Sequence, residues 1–142
     1  MTKHLWLWGI AVVVGGTLLA LTHLAVAGPG PGQGGETRIK ILLTVDPAIL
    51  VSNPAAQASA EFRSRPGRTR LVVEVSGMPS LNGQTLNVAY SASALSPSSM
   101  VVDALGHAQL EANGAATPPA GATVTITKAI GGGLVAGAPA TF

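Results

Sequence analysis

The sequence predicts an all-β protein, a two-sheet sandwich of seven or eight strands preceded by one N-terminal transmembrane helix. Three observations lead there. Residues 5–27 form one unbroken apolar run. From Thr37 onward the apolar positions recur with a period of two, the spacing of a half-buried strand. The 142 residues include no cysteine, so stability must come from an apolar core and backbone pairing. These features divide the chain into an anchor over 1–27, a Gly/Pro linker over 28–36 and a β-sandwich domain over 37–142.

The apolar run opens the chain. Leu5 to Ala27 is 23 residues, and at ~1.5 Å rise per residue such a helix is about 34 Å long, enough to cross a hydrocarbon core of about 30 Å. As a signal peptide it has a positive start, Lys3, and Ala25-Val26-Ala27 before Gly28, the small-x-small pattern of a cleavage site. As a retained anchor it exceeds the usual apolar core of ~7–15 residues and places Trp6 and Trp8 at interfacial depth. Its length favours the anchor. Lys3 is the only Lys or Arg before Arg38. The N-terminus is therefore expected in the cytoplasm and the body on the periplasmic side of a bacterial inner membrane.

Within the run, Ala11-x-x-x-Gly15 and Gly16-x-x-x-Ala20 set small residues one turn apart, a face against which another helix can pack closely. His23 lies near its outer end. A histidine at that depth suits interfacial placement, a hydrogen bond to a neighbouring subunit, or ligation of a chlorophyll-type pigment. The linker follows, Gly28-Pro29-Gly30-Pro31-Gly32-Gln33-Gly34-Gly35, alternating the two residues least compatible with helix or ladder. As coil its ends would stand ~16 Å apart. So short a tether suits a module docking on a neighbouring membrane protein.

The strands come next. Ile39, Ile41, Leu43 and Val45 alternate with Arg38, Lys40, Leu42 and Thr44, and Leu71, Val73 and Val75 alternate with Arg70, Val72 and Glu74. Leu86, Val88, Tyr90 and Ala92 repeat the pattern, followed by Met100 to Val102, Ala108 to Ala112 and Val124 to Ile126. Turn chemistry separates them at Asn82-Gly83, Asp103 to Gly106, Asn113-Gly114 and Pro118 to Gly121. Each run has a wet face and a dry face, and no amphipathic helix of useful length intervenes. The last strand is expected to run to Phe142, whose ring would close the core.

Three segments carry a resemblance to known architecture: Leu71 to Pro79, Val102 to Leu110 and Pro119 to Ile126. With them the C-terminal half resembles the small immunoglobulin-like modules of bacterial exported proteins. The likeness implies a sandwich shape only, because the cysteine pair and core tryptophan of antibody-type domains have no counterpart in the body.

The residues offer little to catalysis. The body's one histidine, His107, has only Asp103 nearby to orient it. Ser91, Ser93, Ser96, Ser98 and Ser99 lie outside any Gly-x-Ser-x-Gly elbow. Glu61, Glu74, Asp103 and Glu111 show no metal-loop spacing. Gly131-Gly132-Gly133 lacks the Lys-Ser/Thr of a phosphate-binding loop and reads as a hairpin tip. No enzyme, no metal and no cofactor are expected.

Charge is informative in one place. Beyond Gly28, seven Lys/Arg face six Asp/Glu, a near-neutral balance that does not suggest a nucleic-acid surface. Yet Arg63, Arg65, Arg68 and Arg70 fall within eight residues around Pro66-Gly67. Across such a turn the four can project from two paired strands as one cationic knob, suited to carboxylates on a partner or to lipid phosphates. The plainer reading is an edge hairpin guarded against aggregation by charge. Stacking aromatics, which nucleic-acid binding would favour, are missing from the cluster.

An apolar anchor with a small-residue face, a short Gly/Pro tether and a chemically inert β body are similar in general form to the single-pass periplasmic accessory subunits of bacterial reaction-centre, light-harvesting or respiratory supercomplexes. The resemblance implies bracing: the helix packs between transmembrane neighbours while the sandwich clamps their exported domains. Expected partners are other subunits of a membrane complex, the bilayer and anionic headgroups, with no nucleic acid. The alternative is a secreted or surface structural module, an adhesion or filament subunit cleaved after Ala27 and assembled through sheet edges.

Overall fold

Alternation of side chains explains most of the architecture. In the computed structural model, which describes residues 35–137 and 142, the chain forms β1 (Thr37–Val45), α1 (Pro47–Ser52), β2 (Gln57–Arg65) and β3 (Arg68–Ser76). A 3-10 turn (Pro79–Leu81) follows, then β4 (Thr85–Tyr90), β5 (Ser99–Val101), β6 (Ala108–Asn113), β7 (Val124–Lys128) and β8 (Leu134–Gly137). The apolar run, with Ala11, Gly15, Gly16, Ala20 and His23, lies outside the described residues, as does most of the linker. Among the described residues no helix is long and apolar enough to cross a membrane.

β4 and β6 alternate buried and exposed positions without exception, so each strand contributes every second side chain to one interior. Phe62, Leu71, Met78, Leu86 and Ile126 are the largest of the fully buried side chains. Each removes most of its apolar area from water, worth about 1.5–3 kcal/mol apiece. Phe142 also reaches this core. Its ring packs edge-on against Tyr90 at 6.0 Å between centroids, and its backbone N–H donates to the Ala122 carbonyl. The last described strand itself ends at Gly137.

The expected all-β class and strand number hold, but the two-sheet, immunoglobulin-like sandwich does not. All eight strands form one antiparallel sheet in the order β5-β4-β7-β8-β1-β2-β3-β6. β1 is the reason. Its first seven residues pair with β2, from Thr37 opposite Ser64 to Leu43 opposite Ala58, while its last two, Thr44 and Val45, pair with β8. One strand thus joins what would otherwise be two sheets. The outer strands β5 and β6 come into contact across the short turn between them, so the sheet curls into a nearly closed barrel.

The sequence reading also missed α1. Asp46 caps it by accepting from the Ala48 N–H at 2.8 Å, and Pro47 occupies the first turn, where its missing N–H costs nothing. Asn53, buried, then fastens the helix to the 3-10 turn. Its amide donates to Ile49 O at 3.1 Å and to Ser80 Oγ at 2.6 Å, and accepts from Ser80 N at 3.1 Å.

Because every neighbouring pair is antiparallel, the register sorts the loops into two ends. One holds the entry into β1 at Glu36, the β2–β3 turn, Gly114, the loop after Tyr90, and Phe142. The other holds α1, the 3-10 turn, the β5–β6 turn and the β7–β8 hairpin tip. They are called here the arginine end and the α1 end.

Candidate functional site

The β2–β3 hairpin gathers the four arginines. Its turn is Pro66-Gly67, with Gly67 at φ +73°, a left-handed conformation that glycine adopts without a Cβ penalty. The register then sets Arg65 opposite Arg68 and Arg63 opposite Arg70, and places Arg38 of β1 opposite Arg63. Like charges facing each other across a ladder are destabilising unless compensated.

Three glutamates compensate. Glu36 accepts from Arg65. Glu61 accepts from Arg38 at 2.7 Å and also from Arg63. Glu111 of β6 accepts from Arg70 at 3.0 Å. Glu61 is the most enclosed of them, its side chain 8% exposed against 53% for Arg38. Burial alone pushes its carboxyl up, but the hydrogen bonds from Arg38 and Arg63 outweigh that and hold it below the ordinary carboxylate value. The Glu36 carboxyl is lowered chiefly by its hydrogen bond from Arg65.

Five arginines set against three glutamates leave two net positive charges among these eight residues. Arg68, at the hairpin turn, makes no ion pair among the described residues. Six of these eight residues, Glu36, Arg63, Arg65, Arg68, Arg70 and Glu111, line an open concavity of about 840 Å³. Its lining contains no histidine, and its carboxylates are engaged by arginine. Such a surface can hold an anion through forked guanidinium contacts, but it presents no free base to take a proton.

The other sequence candidates fall into structural roles. Asp103 spends one carboxylate oxygen on the backbone N–H groups of Leu105 and His107, each at 2.9 Å. The hydrogen bond from the His107 backbone is the main cause that holds the Asp103 carboxyl down. Asp103 therefore shapes the turn, and the His107 residue is exposed beside it. Ser91 Oγ and Ser93 Oγ accept from Thr123 N at 2.8 Å and Ala116 N at 3.1 Å, tying loops together at the arginine end. Gly131 and Gly132, at φ +82° and +63°, lie in the β7–β8 hairpin. Among the described residues no group of three or more His, Cys, Asp or Glu could hold a metal ion.

Sequence reading found the arginines but not their partners. Glu36 is 29 positions from Arg65 and Glu111 is 41 from Arg70, separations that only the sheet register brings together. One local signal existed: Glu61 and Arg63, two apart on a strand, share a face. No protein-family model matches the chain, and neither does any curated protein.

Proposed function

We propose that the chain is a non-catalytic, membrane-anchored accessory subunit whose β domain braces a larger bacterial membrane assembly on the periplasmic side. The observation that carries this reading is the opposite character of the two ends. The chain enters the domain at the charged arginine end, where Glu36 is tied to Arg65. At the α1 end, Val51, Leu105 and Ile130 are 85%, 73% and 92% exposed. Large apolar side chains scattered singly are ordinary, but three on turns at the same end suit contact with another protein.

The apolar run of residues 5–27 and the short linker support the same reading. They would hold the domain beside its neighbours, so that two weak contacts act together with an affinity neither has alone. The absence of a free base in the arginine-lined concavity fits a binding role. The rival, a secreted or filament module joined through sheet edges, is weighed against by the barrel. Strand addition needs an exposed ladder; β5 is only three residues long, and β6, the other outer strand, is in contact with it at one end.

Extraction of the native protein in gentle detergent, with identification of what co-purifies, tests the proposal. Co-migration with a defined membrane complex, lost in an Ile130→Asp and Val51→Asp double variant, is the expected result. A mature chain that is freely soluble and begins at Gly28, or one that sits alone in the bilayer, overturns it.

A further inference from the structure

We infer that the arginine end is a docking surface for anionic phospholipid headgroups of the membrane that anchors the chain. The inference rests on the membrane-anchored reading above and adds to it which end of the domain faces the lipid, and by what chemistry.

Covalent geometry gives the first argument. Glu36 lies nine positions beyond Ala27, and extended chain spans at most ~3.3–3.6 Å per residue, so the entry point lies within about 30 Å of the end of the apolar run. That entry point belongs to the arginine end, because Glu36 is bound to Arg65 beside the hairpin turn. β1 then leads away from it for nine residues, carrying the α1 end about 25 Å further along the strand direction. Close to the membrane the domain meets headgroups with its arginines, not with Val51 or Ile130.

Charge gives the second. The internal pairs leave two positive charges unbalanced, and Arg68 has no acidic partner among the described residues. Forked guanidinium groups match phosphate oxygens. The concavity between them has no large apolar side chain in its lining, so contact stops at the headgroups and does not reach the acyl chains. A basic residue near an anionic bilayer strengthens attachment about fivefold, and the tether makes docking intramolecular. An acidic protein partner would satisfy the same charges but would not need them at the end where the chain enters.

The native sequence lacks cysteine, which allows clean single-site labels. The full chain would carry a fluorophore at Pro66→Cys or at Ile130→Cys and be reconstituted into vesicles of phosphatidylcholine, with or without phosphatidylglycerol. Vesicles would also contain lipid bearing a headgroup quencher. Retention of the chain after a carbonate wash is scored first. The expected result is quenching at Pro66 that needs phosphatidylglycerol and falls in high salt, with Ile130 unquenched throughout. Arg68→Glu, which changes two charge units, should lower the docked-to-undocked ratio about 25-fold, and Arg68→Gln about fivefold.

A retained chain whose Pro66 label is unquenched, or equally quenched without anionic lipid, overturns the docking surface and leaves the anchored reading standing. A chain that washes off sinks both. Loss of a co-purifying protein in Arg68→Glu with unchanged quenching assigns the arginines to a protein contact and likewise overturns the inference.

Discussion

The wall built from β1, β2, β3 and β6 and the wall built from β5, β4, β7 and β8 enclose one core, yet their outer faces differ. Strands in the first run to nine, nine, nine and six residues; those in the second to three, six, five and four. The first carries all five arginines of the body, whereas Lys128 is the only charged residue in the strands of the second. Inside, both present the same alternating Val, Leu and Ile. The inward half of each strand builds the barrel, and the outward half of one wall is left for electrostatics. Extra length in β2 and β3 extends that wall past the Phe62–Leu71 pair and forms the arginine hairpin.

The hardest blow to this comparison would come from the core. Phe62 in the first wall and Ile126 in the second are both essentially unexposed, so Phe62→Ala should cost about 3–5 kcal/mol and Ile126→Ala about 2–5 kcal/mol. Denaturant titration of the full chain in mild detergent, followed by circular dichroism, should show each lowering a single midpoint. Two separate transitions would mean that the walls fold independently.

Next in size are two glycines at opposite ends. A Cβ on Gly106 would stand 2.3 Å from Pro79 N and 2.4 Å from Met78 C, at φ +78°. Gly67 has a similar φ but open space around it. Gly106→Ala should therefore cost about 3 kcal/mol or more, combining backbone strain with a clash, and Gly67→Ala about 1 kcal/mol. Equal losses in the same titration would erase the distinction between a packed α1 end and a free hairpin tip.

Much of the barrel could be read from the chain, because β1, β3, β4 and β6 place an apolar residue at every second, inward position, with only Leu42, Val72 and Ala89 apolar on the outward face. β2 was harder to see, since Ala58 and Ala60 contribute little hydrophobicity and Glu61, on the opposite face, is covered by its arginine partners. The closure was hidden as well. Nothing local tells Thr44 and Val45 to leave β2 for β8; that depends on pairing partners some ninety positions away. Likewise the arginine cluster was legible as charge, but its neutralisation by Glu36, Glu61 and Glu111 is a property of register.

The electrostatic half of the comparison can be sharpened by acid. Folded Glu61 and Glu36 hold their carboxyls below the ordinary value of 4.5, so near that pH the unfolded chain binds more protons than the folded one. Their stabilisation is present above about pH 4.5 and is lost as pH falls through the depressed folded values. Glu61→Gln should cost about 1–2 kcal/mol at neutral pH and flatten the acid limb of the stability curve. An acid limb unchanged in Glu61→Gln would remove Glu61 from the account. The smallest effect is expected at Ile130, 92% exposed. Ile130→Ser should shift stability by less than about 0.5 kcal/mol, and a larger loss in the titration would show that this tip is packed rather than presented.

β1 lies between β8 and β2, well inside the strand order, and it is the strand by which the polypeptide arrives. Under the anchored reading proposed above, tension transmitted from the bilayer would act along its axis. Seven residue pairs with β2 would then be loaded together in shear, instead of peeling apart one after another like the teeth of a zipper. A barrel gripped by an inner stave resists rupture better than one pulled from its rim, as the proposed role beside moving neighbours would require.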